Sequence, residues 1–177
     1  MTKALPRAAI GPFRGHAWVC RGQSLPSDGV IDLISDKPNR WSAQGEPTIY
    51  LSGDAALALV ETGRHPDDLE QHVRLYEIDL RIPLTVDLRR ADVRAALALP
   101  DDGRWVLDRD RARAVAQSLR RGGQCDALIV PSAGALDQED RFNLVLFADD
   151  RARIRGMVAS FREAGELVVR VAQPEPA

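Results

Sequence analysis

Residues 39–61 read NRWSAQGEPTIYLSGDAALALVE, and the change of texture along them decides which folds are open to the chain. Together with the residues before it, the stretch 35–47 (SDKPNRWSAQGEP) is turn chemistry around one tryptophan, so it is a surface loop that carries Arg40 and Trp41. TIYLS (48–52) follows, with the β-branched and aromatic content of a short strand. Gly53 and Asp54 then open a helix, AALALVET, with Ser52 or Asp54 as N-cap and Gly63 just past the end. This helix is apolar nearly all round, which predicts burial on most sides. Glu61, in its last turn, is the lone charge and faces the negative end of the helix dipole, at a cost of roughly 0.3–1 kcal/mol. It is therefore either solvated or used.

Working outward, residues 1–15 contain Pro6 and Pro12 without periodicity and read as a lead-in segment. HAWVCR (16–21) has strand character and places Arg21 at a strand exit. Downstream, 72–80 alternates as a half-buried strand, with 83–88 as its continuation or partner. Residues 87–97 and 108–121 read as amphipathic helices, the second capped by Asp108 and stopped by Gly122-Gly123. DALIVPS (126–132) and FNLVLF (142–147) are further strands, and the alternation around 153–158 and 167–171 predicts two more. With no repeat and no dividing linker, the expected class is α+β rather than alternating βαβ: one domain over 16–172, flanked by the lead-in and a Pro- and Glu-rich tail at 173–177 expected to be disordered.

The composition excludes several functions. At 177 residues, 24 basic residues face 26 acidic ones, and the arginine-rich stretches are broken by Asp and apolar residues, so no nucleic-acid track is present. Cys20 and Cys125 form no CxxC pair and His16, His65 and His72 are scattered, which speaks against a disulfide framework and a metal site. No leader-like or bilayer-length apolar run occurs, so a cytoplasmic protein without membrane contact is expected. GxGxxG, GxxxxGK[ST] and GxSxG are all missing, and any catalysis must rest on Arg, Glu, Ser and Tyr.

The segment 39–61 resembles the RES family, whose usual pattern is a GRWN-like turn, a Gly and a Pro, a YLA-like strand and an apolar helix ending in Glu. WVCR (18–21) resembles that family's first strand with its arginine. IVPS (129–132) followed by FNLVLF resembles its late strand-serine element and the asparagine-bearing strand after it. The likeness spans residues 18–147 and departs from the pattern at Gly22, Asn39 and Ser42. It implies a single-domain α+β fold like that of ADP-ribosyltransferases, with a central mixed or antiparallel sheet flanked by short helices. It also implies cleavage of NAD by hydrolysis or phosphorolysis, more rarely transfer of ADP-ribose to a protein, with NAD as substrate and no cofactor. Such proteins are commonly toxins restrained by an Xre-like helix-turn-helix antitoxin. Carried over by position, the implied site has Glu61, Arg40 and Ser132 as catalytic groups and Arg21, Arg40, Tyr50 and Ser132 as NAD-binding groups.

These residue types suit that chemistry. Breaking the nicotinamide-ribose bond builds oxocarbenium charge that a carboxylate stabilises, the role of Glu61. Guanidinium forks at Arg21 and Arg40 match a pyrophosphate, Tyr50 offers a ring face, and the Ser132 hydroxyl can donate to a phosphate or amide. Taken singly, each is explained without function: Arg21 as a strand-end charge, Arg40 as a loop arginine, Tyr50 as a core phenol and Ser132 as a turn former. Trp41 reads as core or pocket wall and Asn143 as a structural hydrogen bonder. A catalytically inactive RES-like binding module is the alternative from a different class.

Overall fold

In a computed structural model, residues 5, 7–22, 24–26, 29–62, 70–138 and 140–170 are described; the tail at 173–177 and Gly63 lie outside them. Among the described residues there are six strands, β1 (Ile10–Arg21), β2 (Thr48–Ser52), β3 (Glu70–Asp87), β4 (Ala127–Pro131), β5 (Phe142–Phe147) and β6 (Val158–Arg170). Four helices accompany them, α1 (Ala55–Thr62), α2 (Ala91–Ala96), α3 (Arg109–Arg121) and α4 (Arg151–Met157). The α+β class is the observed one, and all pairings are antiparallel except β3 with β4.

The strand order is β1-β2-β5-β4-β3-β6, and β1 also pairs with β3, so five strands close into a ring and β6 extends it. Side chains alternate across each strand. One set points inward: Val19, Ile49, Leu51, Ile78, Leu144 and Leu146 share a buried cluster. The other set points out, where Leu128, Val130 and Val145 pack beneath Ala112, Ala116 and Leu119 of α3. A small third cluster joins Ala58 of α1 to Cys20, Val73 and Leu75. Each such leucine or isoleucine, fully buried, contributes on the order of 1.5–3 kcal/mol.

The seam between β1 and β2 is narrow. Their ladder has a single pair, Trp18 with Ser52, whereas β1 and β3 pair along nearly their whole shared length. Beyond Trp18 the strands splay, leaving Arg21 unpaired on the β2 side.

Three sequence expectations change. The strand expected from His16 begins at Ile10, and Leu5 and Ala9 are buried, so the lead-in supplies part of the sheet. Pro12 is tolerated because the register shifts between Gly11 and Phe13, where a bulge absorbs the missing N–H. The strand expected around 153–158 is instead the end of α4 (Arg151–Met157), because Asp150 Oδ1 accepts from the N–H groups of Ala152 and Arg153 and starts a helix. Helix α1 is less enclosed than its composition implies: Leu57 and Ala58 are buried, but Val60 is 44 % exposed. In contrast, 83–88 does continue the preceding strand into β3, and Asp108 caps α3 as expected.

Both cysteines are free and buried. Burial, with Asp126 adding to it, pushes the Cys125 thiol up to about 12; burial also raises Cys20, opposed by a Thr62 hydrogen bond and by Arg21. A raised acid pKa favours folding below the unfolded value and loses that contribution as pH climbs through the interval. The folded protein is therefore expected to resist a thiol-specific chromogenic reagent at mildly alkaline pH, while both thiols react in concentrated guanidinium. Stability should fall as pH rises from 9.0 towards about 12. Rapid labelling of the native state would contradict this environment.

Candidate functional site

Helix α1 delivers Glu61. Asp54 Oδ1 accepts from the Leu57 N–H at 2.8 Å, fixing the helix start at Ala55, two residues after Gly53, whose own N–H donates to Phe142 O. Two turns later the Glu61 carboxylate meets the end of β4 and the start of β5. Ser132 Oγ lies 3.0 Å from Glu61 Oε1 and Asn143 Nδ2 lies 3.4 Å from the same oxygen. The Ser132 side chain is fully buried, and its oxygen accepts from the Gly134 N–H at 3.1 Å. With that lone pair engaged, the hydroxyl hydrogen is directed at Glu61. Ser132 therefore holds the carboxylate rather than standing free to greet a phosphate. Oε1 collects both donors, and Oε2 has no donor among the described residues.

Asn143, expected from sequence to be a structural hydrogen bonder, donates to Glu61. It sits opposite Ser52 on β2 and Val130 on β4, and its Oδ1 is buried without a partner. An amide inside the apolar run FNLVLF must find a partner if it is buried. Ser52 lies in turn opposite Trp18, and Trp18 opposite Glu77, so one transverse row of side chains crosses the seam beside Glu61.

Tyr50 lies two residues before Ser52 and so on the same face, roughly 6–7 Å along the strand. Its hydroxyl is 2.8 Å from Ser42 Oγ. Burial raises the phenol pKa, opposed by the Ser42 and Trp41 hydrogen bonds and by Arg113 and Arg120, so it stays protonated. Arg40 occupies the tight turn closed by Asn39 N–H to Ser42 O. Asn39 Oδ1 accepts the Arg40 N–H at 2.7 Å, which gives the asparagine a use in the turn where the family pattern has glycine. The Arg40 guanidinium donates through Nη1 to Val106 O, in the 3₁₀ turn Arg104–Leu107. Alongside, Trp41 packs edge-to-face on Trp105, centroids 5.8 Å apart, so Trp41 is core.

Arg21 stands apart from this group. It is half-buried across the splayed seam, opposite Arg74, which is itself paired to Glu163 and Glu166. Burial lowers the Arg21 pKa, with Cys20 opposing it, and no carboxylate pairs with it among the described residues. Of the five expected positions, the structure thus joins Glu61 to Ser132 by a direct hydrogen bond, sets Tyr50 on the same face, links Arg40 to it through the Asn39–Ser42 turn, and brings Arg21 only to the far lip of the seam.

Two open grooves lie elsewhere. One, of about 740 Å³, is lined by Leu25, Asp32, Asp36 and Asp149; the other, of about 550 Å³, by Phe13, Arg14 and Arg81. Neither includes Glu61 or Ser132. Among the described residues no three His, Cys, Asp or Glu side chains gather as a metal site, and no helix is long and apolar enough to cross a membrane.

Comparison with known proteins adds three findings. The model of the RES domain matches residues 21–168. Among solved structures, a chain of the M. tuberculosis MbcT-MbcA toxin-antitoxin complex shares the fold, with a TM-score of 0.63 at 21 % identity, over 91 % of this chain and 87 % of that one. No curated protein matches in sequence.

Proposed function

The chain belongs to the RES domain family, and from that premise we propose that it cleaves NAD at the nicotinamide-ribose bond, as the toxin of a toxin-antitoxin pair. One observation carries the reading: a half-buried carboxylate whose Oε1 is fixed by Ser132 and Asn143 while Oε2 faces no protein donor among the described residues. A carboxylate so oriented is prepared to stabilise positive charge that develops on a ribose, since its geometry is set before the substrate arrives.

In the proposed reaction the C1′–N bond of the nicotinamide riboside breaks and nicotinamide leaves with the bonding electron pair. Glu61 Oε2 stabilises the oxocarbenium-like ribose, and water or phosphate adds at C1′. Water yields ADP-ribose and a proton; phosphate yields the ADP-ribose 1-phosphate ester. Arg21 and Arg40 supply guanidinium forks for the pyrophosphate from the two lips of the seam. Tyr50 lays its ring along nicotinamide or ribose, and Ser132 and Asn143 act through Glu61 by holding it. NAD is the substrate and no resident cofactor is invoked.

The partner in this reading is an antitoxin with an Xre-like helix-turn-helix domain, supported by the toxin-antitoxin complex that shares the fold. Incubation of the purified chain with NAD, with and without inorganic phosphate, tests the enzyme directly. Nicotinamide release is expected, and its dependence on phosphate separates phosphorolysis from hydrolysis. Intact NAD in both arms, with folded protein free of antitoxin, would overturn the reading in favour of a binding module. Label transferred from NAD to protein would replace it with ADP-ribosyl transfer.

A further inference from the structure

Arg14 and Arg81 stand directly opposite one another on the β1–β3 ladder. Side chains so placed have Cβ atoms about 4.5–5.5 Å apart, and like charges there destabilise the pair. Neither guanidinium has a carboxylate partner among the described residues. The next acid along that face, Asp79, is opposite His16. Arginines on neighbouring positions of the sheet are treated differently: Arg74 is paired to Glu163 and Arg162 to Glu77.

The two arginines line the groove of about 550 Å³ together with Pro12, Phe13, Pro83 and Arg153, while Ile82 and Met157, which also border it, are buried. The sheet's own pattern opens this space. Pairing of β6 with β3 ends at Leu80, and on the β4 side Leu84 O already accepts the Asp126 N–H before the ladder begins at Thr85, so among the described residues no strand pairs with that side of residues 81–83. Pro83, which has no N–H to donate, sits in the interval. Arg153 is held at the rim by Asp126, 2.7 Å away.

We infer that this groove is a docking surface for an acidic peptide segment of a partner protein, one carrying a bulky apolar side chain. Paired guanidinium forks recognise carboxylates, and arginine beside exposed apolar surface, here Pro12 and Pro83, is enriched at protein interfaces. The chain's formal net charge is -2, so the positive region is local, which fits a short acidic segment and not the long basic track that a nucleic-acid backbone requires. Glu61 and Ser132 do not line the groove, and the inference stands whether or not the chain cleaves NAD.

The test titrates the whole protein, at low salt, into a fluorescently labelled acetylated hexapeptide DELFED, followed by anisotropy, with the amide counterpart NQLFQN as control. Saturable binding of the acidic peptide alone is expected, weakened about tenfold or more by Arg14→Glu or by Arg81→Glu. Arg14→Glu should at the same time raise Tm, because it turns a repelling pair into a cross-strand ion pair; weakened binding then cannot come from misfolding. The inference is overturned if the acidic peptide does not bind, if NQLFQN binds equally well, if Arg14→Glu leaves binding unchanged, or if inorganic phosphate, AMP or a DNA duplex displaces the peptide at lower concentration than unlabelled peptide does.

Discussion

Glu61→Gln is expected to slow nicotinamide release from NAD by about 10²–10⁴-fold while leaving the protein folded. The size follows from the loss of a preorganised charge at the site where positive charge develops, and a thousandfold corresponds to about 4 kcal/mol of transition-state stabilisation. The folded state should barely respond. Glutamine has the same length, its amide oxygen still accepts from Ser132 Oγ at the position of Oε1, and a partly solvated site is changed within about 0.5 kcal/mol. Nicotinamide release and thermal unfolding of the same preparation decide the matter. A folded variant with full activity would remove Glu61 from the chemistry and with it the proposed role of Ser132 and Asn143.

Gly53→Ala is expected to destabilise the fold by about 1–3 kcal/mol, the usual cost of forcing a methyl group into packed space. A Cβ at Gly53 would lie 2.6 Å from Cε1 of the Phe142 ring. That ring cannot simply swing aside: the Arg89 guanidinium lies 4.6 Å from its centroid on one side, and Phe13 packs edge-on at 6.4 Å. Any adjustment displaces the first residue of β5, next to Asn143, or the start of α1, which carries Glu61. The variant should therefore lose activity beyond its loss of stability, measured as a fall in kcat at a temperature where chemical denaturation shows it still folded. Unchanged stability would mean that the ring has room that this packing does not provide.

How far the sequence could be read is best seen residue by residue. The succession loop, strand, helix at 35–62 was legible because each piece carries its own local chemistry: turn formers, β-branched residues, then Asp54 as cap. Ser132 and Glu61 were legible as individuals, but their contact spans 71 positions, and no periodicity encodes which distant donor a carboxylate finds. Asn143 was legible as a hydrogen bonder, but its partner, 82 positions away, was not. The misreading of α4 had a different origin. Arg151, Arg153 and Arg155 alternate as in a strand, and only Asp150, capping two backbone donors, announces a helix, so a short-range cap outweighed a longer pattern. The early start of β1 was hidden by Gly11, Pro12 and Gly15, residues that weaken a strand in isolation yet are accommodated where β3 supplies the ladder.

The dependence of Glu61 on partners at 132 and 143 also sets a timetable for biosynthesis. A chain emerging from the ribosome displays the glutamate after about a third of its 177 residues, but the side chains that aim it arrive only after about four-fifths. Truncated or still-growing chains thus carry the acid without its setting, and the carboxylate geometry on which the proposed chemistry rests forms only once β4 and β5 have closed the sheet.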